Sequence, residues 1–202
     1  MNSTEFWALV ALATAMSFTP GPNTTLSTAL GANHGLWRAL PFVCAVPVGW
    51  SLLLIACALG LGALILALPA LVWLLKALGV GYLLWLAFKL VRSRALGQAY
   101  SELTVGFFQG IGLQFVNIKA WMLALTVVSG WVAGQGELLL RLMQVVPVMM
   151  VFALGSNLTY ALVGSLLRRW LTGPDGSARR LLWFNRLMAA VLAATGVWML
   201  LR

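Results

Sequence analysis

Long apolar stretches, separated by short breaks that contain polar residues, glycine or proline, run along the whole chain. Each stretch is apolar on every side, which is typical of membrane helices and not of alternating β-barrel strands. A helix needs ~20 such residues to cross a bilayer core. The pattern predicts six transmembrane helices, over residues 5–30, 38–66, 69–91, 105–133, 138–167 and 180–201. We therefore expect an all-α integral membrane protein with one transmembrane domain over residues 1–202.

The composition agrees with this fold class. Of 202 residues, 62% are hydrophobic and only 8% are charged, whereas soluble domains carry about 25% charged residues. The net charge of +9 comes from basic residues in short loops, where membrane topology explains it without a nucleic-acid partner. Cys44 and Cys57 have no nearby histidine or carboxylate, so neither a metal site nor a cofactor is expected.

The basic residues are divided unevenly between the two sides of the predicted bundle. The odd-numbered loops and the adjoining helix ends hold Arg38, Lys89, Arg92, Arg94, Arg168, Arg169, Arg179, Arg180 and Arg186. The opposite side holds only Lys76, Arg141 and Arg202. Because positive loops remain in the cytoplasm, both termini are predicted to lie outside.

The two halves of the chain, about residues 1–95 and 103–202, show a weak internal symmetry. Each begins with a helix interrupted by polar or helix-breaking residues and ends with an uninterrupted helix that closes on a basic residue. Since each half has three helices, the second half enters the membrane from the opposite face. The result is a three-plus-three inverted repeat with helices 1 and 4 broken, an arrangement typical of transporters.

The first break lies in a strongly polar part of helix 1. Each of its two prolines removes a backbone donor and displaces the carbonyl four residues earlier, so carbonyls near residues 16–18 lose their partners. A helix that restarts at Pro22 directs its N-terminal amides into the opening, which favours an anionic group. A simple structural kink is the alternative, but the polar side chains from 17 to 28 are costly for that purpose alone.

The second break carries Asn117 and Lys119 in helix 4. Lys119 lies ~21 Å along the axis from the inner end of the helix, too deep to reach the interface easily. An intramembrane charge costs at least ~2.5 kcal/mol and indicates a functional site. No acidic residue lies in the interior of a predicted helix, so its partners are expected among freed carbonyls of the first break, asparagine amides or a substrate carboxylate. A lysine that extends to water from a misplaced helix is the alternative.

Together the two breaks predict a midplane site for a zwitterion. Its carboxylate would meet Lys119 and the restarted amides, while its ammonium would meet freed carbonyls or asparagine oxygens. The candidate substrate-binding residues are Thr19, Pro20, Gly21, Pro22, Asn23, Asn117 and Lys119. Because burial disfavours a charged lysine, Lys119 is also a candidate proton carrier, with His34, Glu102 and Glu5 as alternatives.

Several segments resemble the lysine exporter (LysE) family, in particular its RhtB-like homoserine/threonine efflux branch. They are Ser17-Phe18-Thr19-Pro20-Gly21-Pro22-Asn23, Gly35 with Ala39, 77–90, Gly106-Phe107, and Asn117 with Lys119-Ala120. The resemblance covers essentially the whole chain. It implies a six-helix permease of the bacterial inner membrane that exports amino acids or related metabolites, driven by the proton gradient through alternating access.

Two positions depart from the pattern of that family. Ile118 replaces the proline of the usual Asn-Pro-Lys-Ala, so a milder second break is expected than in relatives. Trp50 follows Gly49, where many members have an acidic or small polar residue. This removes one candidate proton carrier and narrows any cavity there. Trp50 is interpreted as a packing residue, with a ligand contact as the alternative.

The residues also bear on substrate and on rival functions. Without buried acids, neutral amino acids such as threonine, homoserine or a leucine-like substrate are favoured over lysine or arginine.

No catalytic cluster can be drawn, so the chain is not expected to be an enzyme. A channel would need polar rings supplied by oligomerisation. A non-catalytic membrane scaffold is the main alternative, although it gives Lys119 no role. The small residues Gly106, Gly110 and Gly112 permit a homodimer without requiring one.

Overall fold

The computed structural model describes residues 1–93, 104–173 and 179–201. The helices are α1 (Ser3–Phe18), α2 (Pro22–His34), α3 (Leu36–Ala58), α4 (Leu61–Ala67), α5 (Pro69–Arg92), α6 (Phe107–Val116), α7 (Ile118–Val127), α8 (Leu138–Thr172) and α9 (Arg179–Leu200). A π-helical turn, Val128–Val132, extends α7. Arg94, Glu102 and Arg202, which entered the topology and coupling predictions, lie outside the described residues.

The described residues form an all-α structure with several candidate membrane spans. The helices α3, α5, α8 and α9 are each long and apolar enough to cross a bilayer. A fifth candidate is the pair formed by α6 and α7 with its π-helical turn, which is bent by 71°. The 16-residue α1 is shorter than these spans. The membrane class is thus confirmed, whereas the six-helix inverted repeat stays a prediction.

Helix 2 of the prediction, over 38–66, is divided in the structure. The helix α3 ends at Ala58, and α4 starts at Leu61 after a turn at Gly60. Gly60 has a φ of 105°, in the left-handed region that a residue without a Cβ adopts at little cost. The uniform apolar pattern hides this turn, because glycine does not interrupt hydropathy.

Helices of each half of the chain pack against helices of the other half. Both α1 and α2 contact α8, and both α6 and α7 contact α3. The helices α3 and α8 contact each other, as do α5 and α9. A two-fold inverted repeat would produce this reciprocal arrangement, in which each broken helix packs on the second helix of the opposite half.

Two glycines allow α2 and α8 to cross in close contact. A Cβ built on Gly31 would lie 2.1 Å from the carbonyl oxygen of Ala161, and one built on Gly164 would lie 2.1 Å from that of Thr28. The two backbones are therefore in direct contact, which is typical of small-residue helix crossings in membranes. This crossing holds α2 against α8. Because α2 begins at Pro22, it also positions the point at which the first broken helix resumes.

A buried polar cluster joins the end of α2 to α9 and to the end of α5. The side-chain amides of Asn33 and Asn185 exchange hydrogen bonds of 2.8 and 2.9 Å, and the Ser93 hydroxyl donates to Asn33 Oδ1 at 3.2 Å. Asn33 Nδ2 also donates to the carbonyl of Ala29. Paired polar groups of this kind hold apolar helices together where lipid offers no partner.

Candidate functional site

The first helix break lies where the prolines predict it. The helix α1 ends at Phe18, and Thr19 leaves it in an extended conformation, with φ −69° and ψ 129°. Pro22 occupies the first turn of α2, where its missing N–H and fixed φ fit a helix start. The N–H of Gly21 donates to Thr24 Oγ1 at 2.9 Å, which helps to satisfy the backbone at this restart.

The second break forms without a proline. The helix α6 ends at Val116, Asn117 adopts an extended conformation with φ −91° and ψ 103°, and α7 begins at Ile118. The Oδ1 atom of Asn117 accepts the N–H of Lys119 at 3.1 Å, so the asparagine acts as the N-cap of α7. The indole N–H of Trp121 donates to the carbonyl of Phe115 at 2.7 Å. Capping by side chains therefore sustains the 71° bend.

Lys119 connects the two breaks directly. Its Nζ atom donates to the backbone carbonyl of Thr19 at 2.8 Å. This partner is a carbonyl freed by the first break, one of the three classes of partner predicted for an intramembrane lysine without an acid. The next freed carbonyl, that of Phe18, accepts the Tyr160 hydroxyl at 2.9 Å. The half-buried ammonium of Lys119, at the start of α7, is thus hydrogen-bonded to the C-terminal end of α1.

A second contact between the breaks is a pair of amides. Asn23 Nδ2 donates to Gln114 Oε1 at 2.8 Å, and Gln114 Nε2 donates back to Asn23 Oδ1 at 3.1 Å. Gln114 also donates to the carbonyl of Gly110. The sequence analysis did not place Gln114 in the site. The signal for it was a polar amide three residues before Asn117 in a mostly apolar helix.

A cavity lies between the two breaks. It has a volume of about 60 Å³, where one water molecule requires ~10–15 Å³. Of the predicted site residues, Thr19, Gly21, Pro22, Asn23, Asn117 and Lys119 line it. Pro20 does not line it: its side chain is exposed, and its position at the end of α1 accounts for the break itself.

Several lining residues were not predicted as site residues, among them two polar residues of α8 and a tryptophan of α3. Ser156 and Asn157 of α8 line the cavity, and Asn157 Oδ1 accepts the Ser27 hydroxyl at 2.9 Å. Both were detectable as adjacent polar residues near the middle of a predicted membrane helix. Trp50 of α3 also lines the cavity and is 4% exposed. Its interpretation as a packing residue alone is incomplete, because a single sequence does not show which face of α3 meets the cavity.

The electrostatics of the cavity favour an anionic group. Both α2 and α7 begin at its wall, so the positive ends of two helix dipoles meet there beside the Lys119 ammonium. No acidic side chain is among its lining residues in the part of the chain that the structure describes. The remaining wall is apolar and includes Val46, Leu123 and Met149. A carboxylate attached to a small uncharged body suits this combination.

Comparison with known proteins gives a match over nearly the whole chain. A family model described as "LysE type translocator" matches residues 14–202. A cysteine/O-acetylserine efflux protein of Salmonella paratyphi A is 32% identical over 169 residues, which cover 84% of this chain and 85% of the relative. Proteins of the same name from Klebsiella pneumoniae and Escherichia coli O157:H7 are each 30% identical, over 84% and 81% of this chain and 86% and 83% of the relatives. No solved structure matches the chain significantly.

Proposed function

The chain belongs to the LysE type translocator family, and we propose that it exports small neutral amino acids across the bacterial inner membrane through the cavity between its two helix breaks. The observation that carries this proposal is the Lys119 ammonium. It faces a cavity lined by two helix starts and has only a backbone carbonyl, that of Thr19, as its hydrogen-bond partner among the described residues. A substrate carboxylate would supply the missing opposite charge.

Binding of the carboxylate would follow from competition for Lys119. A charge-assisted bond from an ammonium to a carboxylate is stronger than one to a neutral carbonyl. An entering substrate would therefore draw Nζ from Thr19 towards itself and release the end of α1. This exchange would link occupancy of the site to the first helix break, the element expected to move during alternating access.

The substrate ammonium has neutral oxygens available in place of a carboxylate. The second lone pair of Asn23 Oδ1, the Ser156 hydroxyl and the Asn157 side chain are within the same cavity lining. A substrate with a cationic side chain would bury a second positive charge beside Lys119 with no acid to balance it. Cysteine and O-acetylserine, named for the relatives, and homoserine or threonine meet this requirement.

Topology and coupling complete the proposal. Six spans in an inverted repeat are supported by the reciprocal packing of α1 and α2 on α8 and of α6 and α7 on α3. The location of both termini outside is supported by the uneven distribution of the basic residues between the two sides of the bundle. The proton is assigned to Lys119, because a group that alternates between substrate and a neutral carbonyl changes its stabilisation with each transport cycle.

The test is efflux from proteoliposomes loaded with neutral, acidic and basic amino acids under an imposed pH gradient. We expect cysteine, O-acetylserine, homoserine or threonine to leave at least several times faster than lysine or glutamate. The rate of efflux should be saturable and should depend on the pH gradient.

Faster efflux of lysine would contradict the assigned substrate class. Retention of every amino acid would favour a non-catalytic membrane scaffold instead. pH-driven counterflow that persists in Lys119→Met would contradict coupling through this lysine.

A further inference from the structure

Trp50 carries a buried hydrogen-bond donor without an acceptor. The residue lines the cavity, it is 4% exposed, and its Nε1 atom has no partner in the described part of the chain. Two tryptophans of the second broken helix have one: the indole N–H of Trp121 donates to the carbonyl of Phe115, and that of Trp131 donates to the carbonyl of Glu5 at 2.9 Å. A buried indole N–H usually finds an acceptor, so this exception requires an explanation.

The backbone at Trp50 is held in place by the preceding residue. A Cβ built on Gly49 would lie 2.8 Å from Ile111 Cα and 2.9 Å from Gln114 Cγ. The helix α3 therefore rests directly on α6 at this level, beside the Asn23–Gln114 amide pair that connects the breaks. Such a fixed position suits a group that recognises a ligand, because little freedom is lost on binding.

The surroundings of Trp50 identify which part of a substrate it would meet. The other residue of α3 that lines the cavity is Val46, one helical turn earlier, and Met149 adds a further apolar surface. Lys119 and the starts of α2 and α7 are assigned to the carboxylate. The α3 wall is thus left for the substrate side chain, and Trp50 is the residue of that wall that carries a polar group.

We propose that Trp50 determines substrate specificity: its N–H binds the oxygen or sulfur atom in the side chain of the exported amino acid. The inference rests on the proposed function and narrows the substrate class. It selects neutral amino acids with a hydroxyl, ester or thiol acceptor over alkyl amino acids of equal size. A site that offers a buried donor rejects an analogue without the acceptor, since the donor then remains unpaired.

The test compares homoserine with norvaline, two amino acids of similar length of which only homoserine has a side-chain acceptor. Half-saturation concentrations are measured by counterflow in proteoliposomes for the wild type and for Trp50→Phe, which keeps an aromatic ring and removes the N–H. We expect the wild type to prefer homoserine. In the variant, the ratio of the half-saturation concentration of norvaline to that of homoserine should be about threefold to tenfold lower. Norvaline transport should change little.

Trp131→Phe is the matched control. It also removes an indole N–H, but one that is already bonded to the Glu5 carbonyl and belongs to a residue outside the cavity lining. Its preference for homoserine should equal that of the wild type, while its thermal stability in detergent falls because that carbonyl loses this donor. Trp50→Phe leaves no acceptor unpaired, so its thermal stability should fall less than that of the control.

An unchanged homoserine preference in Trp50→Phe, with efficient transport of homoserine, would overturn the inference and leave the proposed function intact. If Trp50→Phe does not fold, Trp50→Met provides the same comparison, because it also lacks the N–H and its flexible side chain adapts to the space. Failure of the wild type to transport any amino acid would overturn the proposed function and this inference with it.

Discussion

Replacement of Lys119 by methionine should lower the affinity for the exported amino acid by about tenfold to a hundredfold and reduce efflux towards background. Methionine approximates the length of the side chain and removes its charge, so the substrate carboxylate loses its charged partner in a cavity without another cation. Hydrogen bonds to charged groups contribute about 1.5–3 kcal/mol, which corresponds to this range. Half-saturation concentrations from counterflow in proteoliposomes measure the effect.

Lys76→Met is the matched control for this prediction. Lys76 lies on α5 outside the cavity lining, with its ammonium 5.1 Å from the ring centre of Trp73. Its replacement also removes one positive charge, but transport should be unchanged. Wild-type affinity in a folded Lys119→Met protein would show that the lysine only connects the two breaks and does not bind the carboxylate.

Gly164→Ala should destabilise the protein strongly. The new Cβ would fall 2.1 Å from the Thr28 carbonyl oxygen and 3.0 Å from the Ala32 nitrogen, both backbone atoms of α2. Because α2 cannot absorb this overlap by a rotamer change, the two helices must separate, at a cost of about 1–3 kcal/mol or more. We expect a lower melting temperature in detergent and a loss of transport, measured on the same preparation.

Gly155→Ala tests whether this effect is specific to the crossing. Gly155 lies on the same helix, and a Cβ built there meets nothing within 4 Å. Alanine also favours a helix over glycine, so the melting temperature should stay the same or rise slightly. Equal losses in both variants would indicate that α8 is sensitive to any added methyl group, and that the close crossing with α2 is not the cause.

The parts of the site that depend on local backbone chemistry were predictable from the sequence. Two prolines flanking Gly21 cannot lie inside a regular helix, and α1 and α2 separate there. For Lys119, the absence of an acid indicated freed carbonyls of the first break, asparagine amides or a substrate carboxylate as partners, and the Thr19 carbonyl accepts its ammonium. These features follow from rules that hold wherever the residues are placed in the bundle.

Features that depend on which helix faces meet could not be predicted in the same way. The pairing of Asn23 with Gln114, and of Ser27 with Asn157, requires the crossing of helices distant in sequence. The sequence left open whether the second break is retained without the usual proline; in the structure α6 and α7 are bent by 71°, and Asn117 caps α7. The unpaired N–H of Trp50 is a property of its surroundings and not of the residue.

Protection of a single cysteine in the cavity tests most directly whether the substrate binds between the two breaks. In a Cys44→Ala/Cys57→Ala background, Ala153→Cys places a thiol in the cavity lining, and Gln135→Cys places one in the exposed loop before α8 as a control. The rate of maleimide modification is compared with and without O-acetylserine or homoserine. We expect the substrate to slow modification at position 153 severalfold, with no effect of lysine and none at position 135. An unchanged rate at position 153, in a protein that still transports the same amino acid, would contradict a site between the breaks.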